Sequence, residues 1–217
     1  MNRRPLSRRR LAAGLSGLAL LPVAARLAPA AASSPEGEAA ATPSYAPHTW
    51  GDPDAPVSIL EFSSYTCGHC ARFHQETLPT LRDRYIEAGR ANLTLVDFPL
   101  DNIAGAVSLI THCAPEAIQK RLVDIFFADQ DAWMTRTPRE SITGIARLAG
   151  MSKAEVDACL ENETLYQAIL DRRAEADARW DISGTPTFVI NGQKHTGSYR
   201  LDDMTRAIDA ALEATGG

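Results

Sequence analysis

One short stretch constrains the fold of this chain more than any other: the pair Cys67 and Cys70, which stands between a strand and a helix. Residues 57–62 form a short, mostly apolar and β-branched run, typical of a strand that is buried on both faces. After Cys70, apolar residues recur at helical spacing, although Pro79 should kink or break the helix. Residues 93–98 form a second apolar run. This order predicts a right-handed crossover unit with parallel strands.

A long helical region separates this unit from the rest of the expected sheet. From about residue 102 to residue 181, apolar residues follow helical periodicity over a length that exceeds an ordinary connection inside a compact sheet. We expect four helices here. The first carries Ile118, Leu122, Ile125 and Phe126 on one face, and the second spans residues 139–149. The third starts with a capping box at Ser152, and the fourth carries Leu165 and Ile169. The region therefore predicts an all-helical insert.

The chain returns to strand structure after the insert. Residues 187–190 form an apolar run, and Asn191-Gly192 behind it is a strong hairpin signal. We expect the returning strand at residues 194–196, and a closing amphipathic helix at residues 201–214. The whole pattern predicts an α/β fold.

The first 30 residues have the composition of an export signal. Arginines at positions 3, 4, 8, 9 and 10 precede an apolar run at residues 11–25, and small residues follow at which the chain can be cut. Because the apolar run is shorter than the roughly 20 residues of a spanning helix, we expect cleavage and no permanent anchor. Residues 7–11 resemble a twin-arginine motif, but a general secretory signal rich in arginine looks the same, so both export routes stay open.

The segment behind this signal has a composition that does not order itself. Residues 31–49 are rich in Ala, Pro, Ser, Gly and Glu and offer little apolar surface to bury. The expected organisation is an export signal at 1–30, a disordered tether at 31–50, a domain built from 51–101 and 182–217, and the helical insert at 102–181.

The acidic balance of the chain argues against nucleic acid as a partner. Without residues 1–30, which carry six arginines and no acid, 16 basic side chains remain against 27 acidic ones. Such a protein would repel phosphates.

The position of Cys67 and Cys70 at a helix start predicts redox chemistry. Cys67 would face unpaired backbone N–H groups and the positive end of the helix dipole, which favour its thiolate. Cys67 is therefore the expected nucleophile, and the more buried Cys70 would resolve a mixed disulfide formed on it. A protonated His69 would add positive charge beside the thiolate. A permanent disulfide or half of a zinc site is the alternative, although no second Cys or His pair has metal spacing.

Three further motifs accompany the Cys-x-x-Cys pair: Gly51-Asp52-Pro53-Asp54-Ala55-Pro56-Val57, Leu60-Glu61-Phe62-Ser63 and Gly184-Thr185-Pro186-Thr187-Phe188. Together they resemble the DsbA-like periplasmic disulfide oxidoreductases, from about Gly51 to Ala214. The resemblance implies a thioredoxin fold interrupted by an all-helical insert. It also implies a general disulfide oxidase of exported, cysteine-containing proteins, located in the periplasm, without a bound cofactor or metal.

The resemblance implies roles for single residues as well. Pro186 matches the cis-proline that faces the active-site cysteines, and Thr185 would offer its backbone to an extended substrate peptide. Glu61 matches a buried acid that relays a proton from the resolving cysteine. Considered alone, a carboxylate in an apolar strand needs either a task or a partner, so a salt bridge to a basic neighbour stays open.

The remaining cysteines and histidines lie mostly outside these motifs. Cys113 and Cys159, both in the insert, resemble a second disulfide found in some alphaproteobacterial relatives, and two separate buried thiols are the alternative. The other histidines are not spaced as metal ligands, and we expect surface or packing positions for them: His48, His74, His112 and His195.

The direction of the reaction stays open in the sequence. Gly68-His69 replaces the proline-containing dipeptide of the best-known oxidases, and Thr185 replaces an aliphatic residue. Both choices occur in isomerase-like relatives. The dimerisation domain of bacterial isomerases would precede the fold, where the short tether has no room for it, so we expect a monomeric oxidase. Isomerase and reductase are the alternatives.

Two expectations concern partners. The resemblance implies a membrane-bound, quinone-linked thiol oxidase that reoxidises the cysteine pair. A function of another class also stays open, namely a metal-binding or copper-delivery protein that uses the two thiolates as soft ligands.

Overall fold

The computed structural model describes residues 45–216, so the expected export signal and most of the expected tether lie outside the described residues. Five strands form one mixed sheet in the order β1-β3-β2-β4-β5. Their bounds are β1 His48–Trp50, β2 Val57–Ser63, β3 Ala91–Asp97, β4 Thr187–Ile190 and β5 Gln193–Lys194. As the crossover pattern predicts, β2 and β3 are parallel, whereas the other neighbours are antiparallel.

The helices of the described region fall into three groups. The first follows β2, the second is the insert between β3 and β4, and the third closes the chain. Their bounds are α1 Gly68–Arg72, α2 Leu78–Leu81, α3 Asn102–Cys113, α4 Glu116–Ala128, α5 Pro138–Leu148, α6 Lys153–Leu160, α7 Glu163–Trp180 and α8 Leu201–Thr215.

The helix behind β2 continues past Pro79, where the sequence predicts a kink or a break. Two π-helical segments, Phe73–Thr77 and Arg82–Ile86, alternate with α1 and α2. Pro79 lies in the first turn of α2, where a missing backbone N–H is tolerated, and the π segment before it ends with a bond from the Leu78 N–H to the Phe73 carbonyl. The widened turns therefore accommodate the proline.

The sheet is covered on both of its faces. On one face, Ile59 of β2 packs with Leu81 of α2 and Ile208 of α8. On the other face, Phe62 of β2 packs with Ala176 of α7. Layers on both sides explain why the strands are apolar in nearly every position. The expected α/β fold, interrupted by an all-helical insert, is confirmed.

The insert has a hydrophobic core of its own, which includes Leu122, Phe126 and Trp133, all fully buried. It contains five helices, α3 to α7, where the sequence predicts four. The helix missed is α3, because most of its residues are buried and no polar face marks its period.

The last residues of the expected tether are ordered. His48–Trp50 pair with Leu93–Leu95 as an antiparallel edge strand. Trp50 packs against the cores of both the sheet and the insert. The prediction that the disordered tether extends to residue 50 is therefore wrong for residues 45–50. Two aromatic residues, Tyr45 and Trp50, follow the Ala- and Pro-rich segment and anchor the chain.

Between residues 45 and 216, none of the helices combines the length and the apolar character that are needed to cross a bilayer.

Candidate active site

Cys67 and Cys70 lie where the buried strand β2 gives way to α1. Cys67 is the N-cap residue of α1, and its Sγ accepts a hydrogen bond from the Cys70 N–H at 3.4 Å. Cys67 is 9% exposed, whereas Cys70 is fully buried, and both are free thiols. An incoming thiol can therefore reach Cys67 and is kept away from Cys70.

The two thiols have opposite electrostatics. A hydrogen bond from the Cys70 thiol, assisted by the Thr185 hydroxyl and the backbone N–H groups of Cys70 and His69, outweighs burial and lowers the pKa of Cys67 to about 5. Burial raises the pKa of Cys70, and the charges of Glu61 and the Cys67 thiolate raise it further. At neutral pH the pair therefore holds one thiolate, on Cys67, and one proton, on Cys70.

A loop before β4 faces Cys67. The Thr185–Pro186 peptide is cis, and the Cys67 thiol donates to the Thr185 carbonyl at 3.2 Å. The buried Thr185 hydroxyl lies near enough to Cys67 to stabilise its thiolate, although it makes no hydrogen bond of good geometry among the described residues. The Thr185 carbonyl can therefore accept a hydrogen bond from the thiol form of Cys67. The Thr185 hydroxyl can rotate to donate one to the thiolate form.

His69 makes two contacts that were not expected from the sequence. Its Nδ1 lies 2.9 Å from the Tyr199 hydroxyl and 2.9 Å from a guanidinium nitrogen of Arg72. Because a guanidinium nitrogen can only donate, Nδ1 is the acceptor in this arrangement. The contact places the permanent positive charge of Arg72 beside His69, and the charge expected from a protonated His69 stays a prediction.

Glu61 lies beneath the cysteine pair, paired with a histidine. It is fully buried, and its two carboxylate oxygens lie 3.0 and 3.2 Å from Nε2 of His74. The basic partner that the sequence analysis left open for Glu61 is therefore present, as a hydrogen-bonded histidine. It does not exclude a proton-transfer role, because the Glu61 charge acts on Cys70.

The helical insert contacts the active-site loop through Gln130. Its side-chain amide donates to the carbonyl oxygens of Tyr65 at 2.5 Å and Cys67 at 3.2 Å. On another side of the loop, the Thr66 hydroxyl donates to Asp101 at 2.7 Å. Sequence reasoning missed both contacts, because a glutamine in a polar loop carries no signal of its target.

A second buried polar cluster lies at the far side of β3. The Asp97 carboxylate accepts from the Ser108 hydroxyl and from His112 Nε2, the latter at 2.6 Å. His48 stacks on His112 with ring centroids 4.3 Å apart. Sequence analysis expected surface or packing positions for these histidines, and a signal for the pairing was available: Asp97, like Glu61, is a carboxylate in an apolar strand.

Cys113 and Cys159 form a disulfide between the ends of α3 and α6, with Cα atoms 5.7 Å apart. It joins two helices of the insert.

As to metals, the described residues contain no group of three or more His, Cys, Asp or Glu side chains placed to hold an ion.

Comparison with known proteins agrees with this architecture. A family model described as thioredoxin matches residues 44–210. A protein of Rickettsia conorii that carries the name protein-disulfide oxidoreductase is 29% identical over 165 residues, which cover 75% of this chain and 59% of that relative. The chain thus spans about three fifths of the length of the first curated relatives it matches.

Two solved structures illustrate the likeness. A protein-disulfide isomerase from Novosphingobium aromaticivorans is 28% identical, with a TM-score of 0.68 over 76% of this chain and 97% of the other. Alpha-DsbA1 of Wolbachia pipientis reaches a TM-score of 0.72 at 24% identity, over 78% of this chain and 92% of the other, a likeness that shows the fold alone.

Proposed function

This chain belongs to the thioredoxin family, and from that membership we propose that it is a thiol-disulfide oxidoreductase whose Cys67–Cys70 pair introduces disulfide bonds into other proteins. The expected DsbA-like architecture agrees with the solved structures above.

The observation that carries the proposal is the asymmetry of the two thiols. The pKa of Cys67 is lowered to about 5, whereas that of the fully buried Cys70 is raised. A substrate thiolate attacks Cys67 Sγ of the oxidised pair, the Cys67–Cys70 bond breaks, and Cys70 takes up a proton. A second substrate thiolate then attacks the mixed disulfide and releases Cys67, which is a good leaving group because its thiolate is stable.

The same asymmetry supports oxidation as the direction. A stable Cys67 thiolate favours the reduced protein, and the disulfide form has no thiolate to gain from these contacts. The substrates that fit are exported proteins with free cysteines, since the N-terminal composition is typical of an export signal to the periplasm. A membrane-bound thiol oxidase linked to quinones would then return the pair to its disulfide form.

An isomerase is the second candidate, favoured by one observation. One of the similar solved structures bears the name protein-disulfide isomerase at 28% identity. Refolding assays separate the two: an oxidase accelerates disulfide formation in a reduced substrate, whereas an isomerase accelerates the recovery of a substrate whose disulfides are scrambled.

Mixed-disulfide trapping tests the proposed roles. Cys70→Ala should accumulate covalent complexes with substrate proteins that carry a disulfide: the Cys67 thiolate attacks the disulfide, one substrate sulfur leaves as a thiolate, and no Cys70 thiol is present to resolve the mixed disulfide that forms. Cys67→Ser should form none, since Cys70 is fully buried. Faster alkylation of Cys70 than of Cys67 at neutral pH would reverse the assignment. A protein purified with a metal bound to both thiolates would favour copper delivery instead.

A further inference from the structure

The loop that faces Cys67 consists of residues 181–186, which connect the end of α7 to the start of β4. Within it, the carbonyl oxygen of Thr185 lies 3.2 Å from Cys67 Sγ. The loop is short and contains no helix or strand of its own. The position of Thr185 therefore depends on where the two ends of the loop are held.

Lys194 contacts both of these ends. Its backbone in β5 pairs with Val189 of β4, the strand into which the loop leads. Its Nζ donates to the carbonyl oxygens of Trp180 at 2.9 Å and Asp181 at 2.5 Å, at the opposite end of the loop. One residue thus bridges the base of the loop, with its backbone on one side and its side chain on the other.

The end of α7 favours a lysine at this place. The last carbonyl groups of a helix have no partner within the helix, and the helix dipole gives this end a partial negative charge. An ammonium group can only donate, and it carries the opposite charge. Among residues 45–216, Lys194 forms no ion pair with a carboxylate, so the two carbonyls account for the placement of its charge.

Asp181 marks the turn by which the chain leaves α7. Its backbone lies in the left-handed region, with a φ of 48°, which residues other than glycine adopt infrequently. Its N–H donates to the Asp177 carbonyl at 2.8 Å, and its own carbonyl accepts from Lys194. The bond from Lys194 therefore helps to hold this turn.

Two further side chains continue the fixation along the loop. The Asp177 carboxylate accepts from the Ile182 N–H at 3.1 Å. The Thr187 hydroxyl donates to the Gly184 carbonyl at 2.7 Å. With these bonds in place, little free backbone remains to absorb a displacement of the helix end, so such a displacement would reach Thr185.

Thr185 is the residue at which this fixation meets the chemistry. Its hydroxyl lies near enough to Cys67 to stabilise the thiolate, and its carbonyl contacts the same sulfur. Hydrogen bonds weaken steeply when their distance or angle departs from the optimum, so a small displacement of Thr185 makes the Cys67 thiolate less stable.

We propose that Lys194 is a positioning residue, which clamps the loop at residues 181–186 and so keeps Thr185 in contact with Cys67. This inference rests on the proposed function and deepens it, because it gives a residue of the β4–β5 hairpin a part in the site of the nucleophile.

The pH profile of Cys67 alkylation by iodoacetamide tests the clamp on the reduced protein. In the wild type the rate should be half-maximal near pH 5, the pKa of the Cys67 thiol. Lys194→Met keeps a long side chain but has no donor. Its midpoint should rise by about one pH unit, so that the rate at pH 5 falls about fivefold. At pH 8, where both proteins hold the thiolate, the two rates should agree within about twofold.

Two further variants separate the clamp from a general effect on the fold. Lys194→Arg should restore the wild-type profile, since a guanidinium can also donate to two carbonyls. Lys153→Met is the matched control, because it removes an exposed lysine that pairs with Asp157 within the insert. Its profile should coincide with that of the wild type.

A Lys194→Met profile that coincides with the wild type would overturn the proposal, whatever the change in the free energy of unfolding. Failure of Lys194→Arg to restore the midpoint would do the same. If Lys194→Met does not fold, Lys194→Gln decides: its shorter, uncharged amide is a weaker donor, so the midpoint should rise part of the way, and an unchanged midpoint contradicts the clamp. A wild-type midpoint near the unfolded value of about 8.5 would instead refute the proposed function, and the clamp with it.

Discussion

Gln130 donates its side-chain amide to the carbonyl oxygen of Cys67 at 3.2 Å, across 63 residues of sequence. The same amide donates to the Tyr65 carbonyl at 2.5 Å. These bonds tie the helical insert to the loop that carries the nucleophile. The insert thus takes part in shaping the active site, in addition to enlarging the protein.

Gln130→Ala should therefore destabilise the protein and loosen the loop. Two partly buried carbonyls lose a donor, and we expect a loss of about 1–3 kcal/mol in the free energy of unfolding, measured by urea denaturation. The rate at which Cys67 is alkylated at neutral pH should change as well. Gln75→Ala is the control, because Gln75 donates to the carbonyls of Phe127 and Ala128 instead of those of Tyr65 and Cys67. Equal alkylation rates in the two variants would contradict a role for Gln130 at the site.

The disulfide between Cys113 and Cys159 should contribute stability without contributing to catalysis. It closes a segment of 46 residues, for which a chain-entropy model gives an upper value of roughly 4 kcal/mol. Replacing both cysteines with Ala should lower the melting temperature and leave insulin reduction by the other pair intact. Loss of insulin reduction in a variant that is still folded would show that the two pairs are coupled.

The cluster around Asp97 makes the fold sensitive to acid. Burial, followed by the neighbouring His112, lowers the pKa of His48 to about 4. The unfolded chain therefore binds a proton on His48 near pH 6.5, whereas the folded protein resists it until about pH 4. The contribution of the neutral His48 to the free energy of unfolding should be fully present above pH 6.5. It should be lost, at a cost of about 3 kcal/mol, as the pH decreases to 4.

Urea unfolding across this pH range tests the assignment. His48→Gln should show a flatter dependence on pH, because the variant has no titrating group at this position. The same slope in the variant and the wild type would assign the acid sensitivity to another group.

Much of the fold follows from local sequence patterns. The buried strands, the crossover, the hairpin at Asn191-Gly192 and the capping box at Ser152 all depend on residues close in sequence, and the structure contains each of them. In contrast, α3 was missed because burial on most sides removes the polar face that reveals a helix. The edge strand at His48–Trp50 was missed because three residues are too few to show the alternation of apolar and polar side chains that marks a strand.

The site divides in the same way. Cys67 and Cys70 are apparent from a local motif and its position between a strand and a helix. Other contacts at the site are not apparent, since Gln130 and Tyr199 reach it from loops far along the chain. A carboxylate in an apolar strand was the one remote signal, and it predicted a partner for Glu61 without naming His74.

A stabilised Cys67 thiolate makes the disulfide form of the proposed enzyme an oxidant. The pKa of Cys67 is lowered to about 5, from about 8.5 in an unfolded chain. For an acid with a lowered pKa, the gain in stability is complete above the unfolded value and is lost as the pH falls through the folded one. Near neutral pH the reduced protein therefore keeps part of this gain, which the disulfide form lacks.

Equilibration with glutathione at neutral pH measures the consequence directly. We expect a reduction potential near the range of roughly −120 to −180 mV that is typical of DsbA and protein disulfide isomerase. A potential near roughly −270 mV, the value of thioredoxin, would contradict a role as an oxidase and make the protein a reductase.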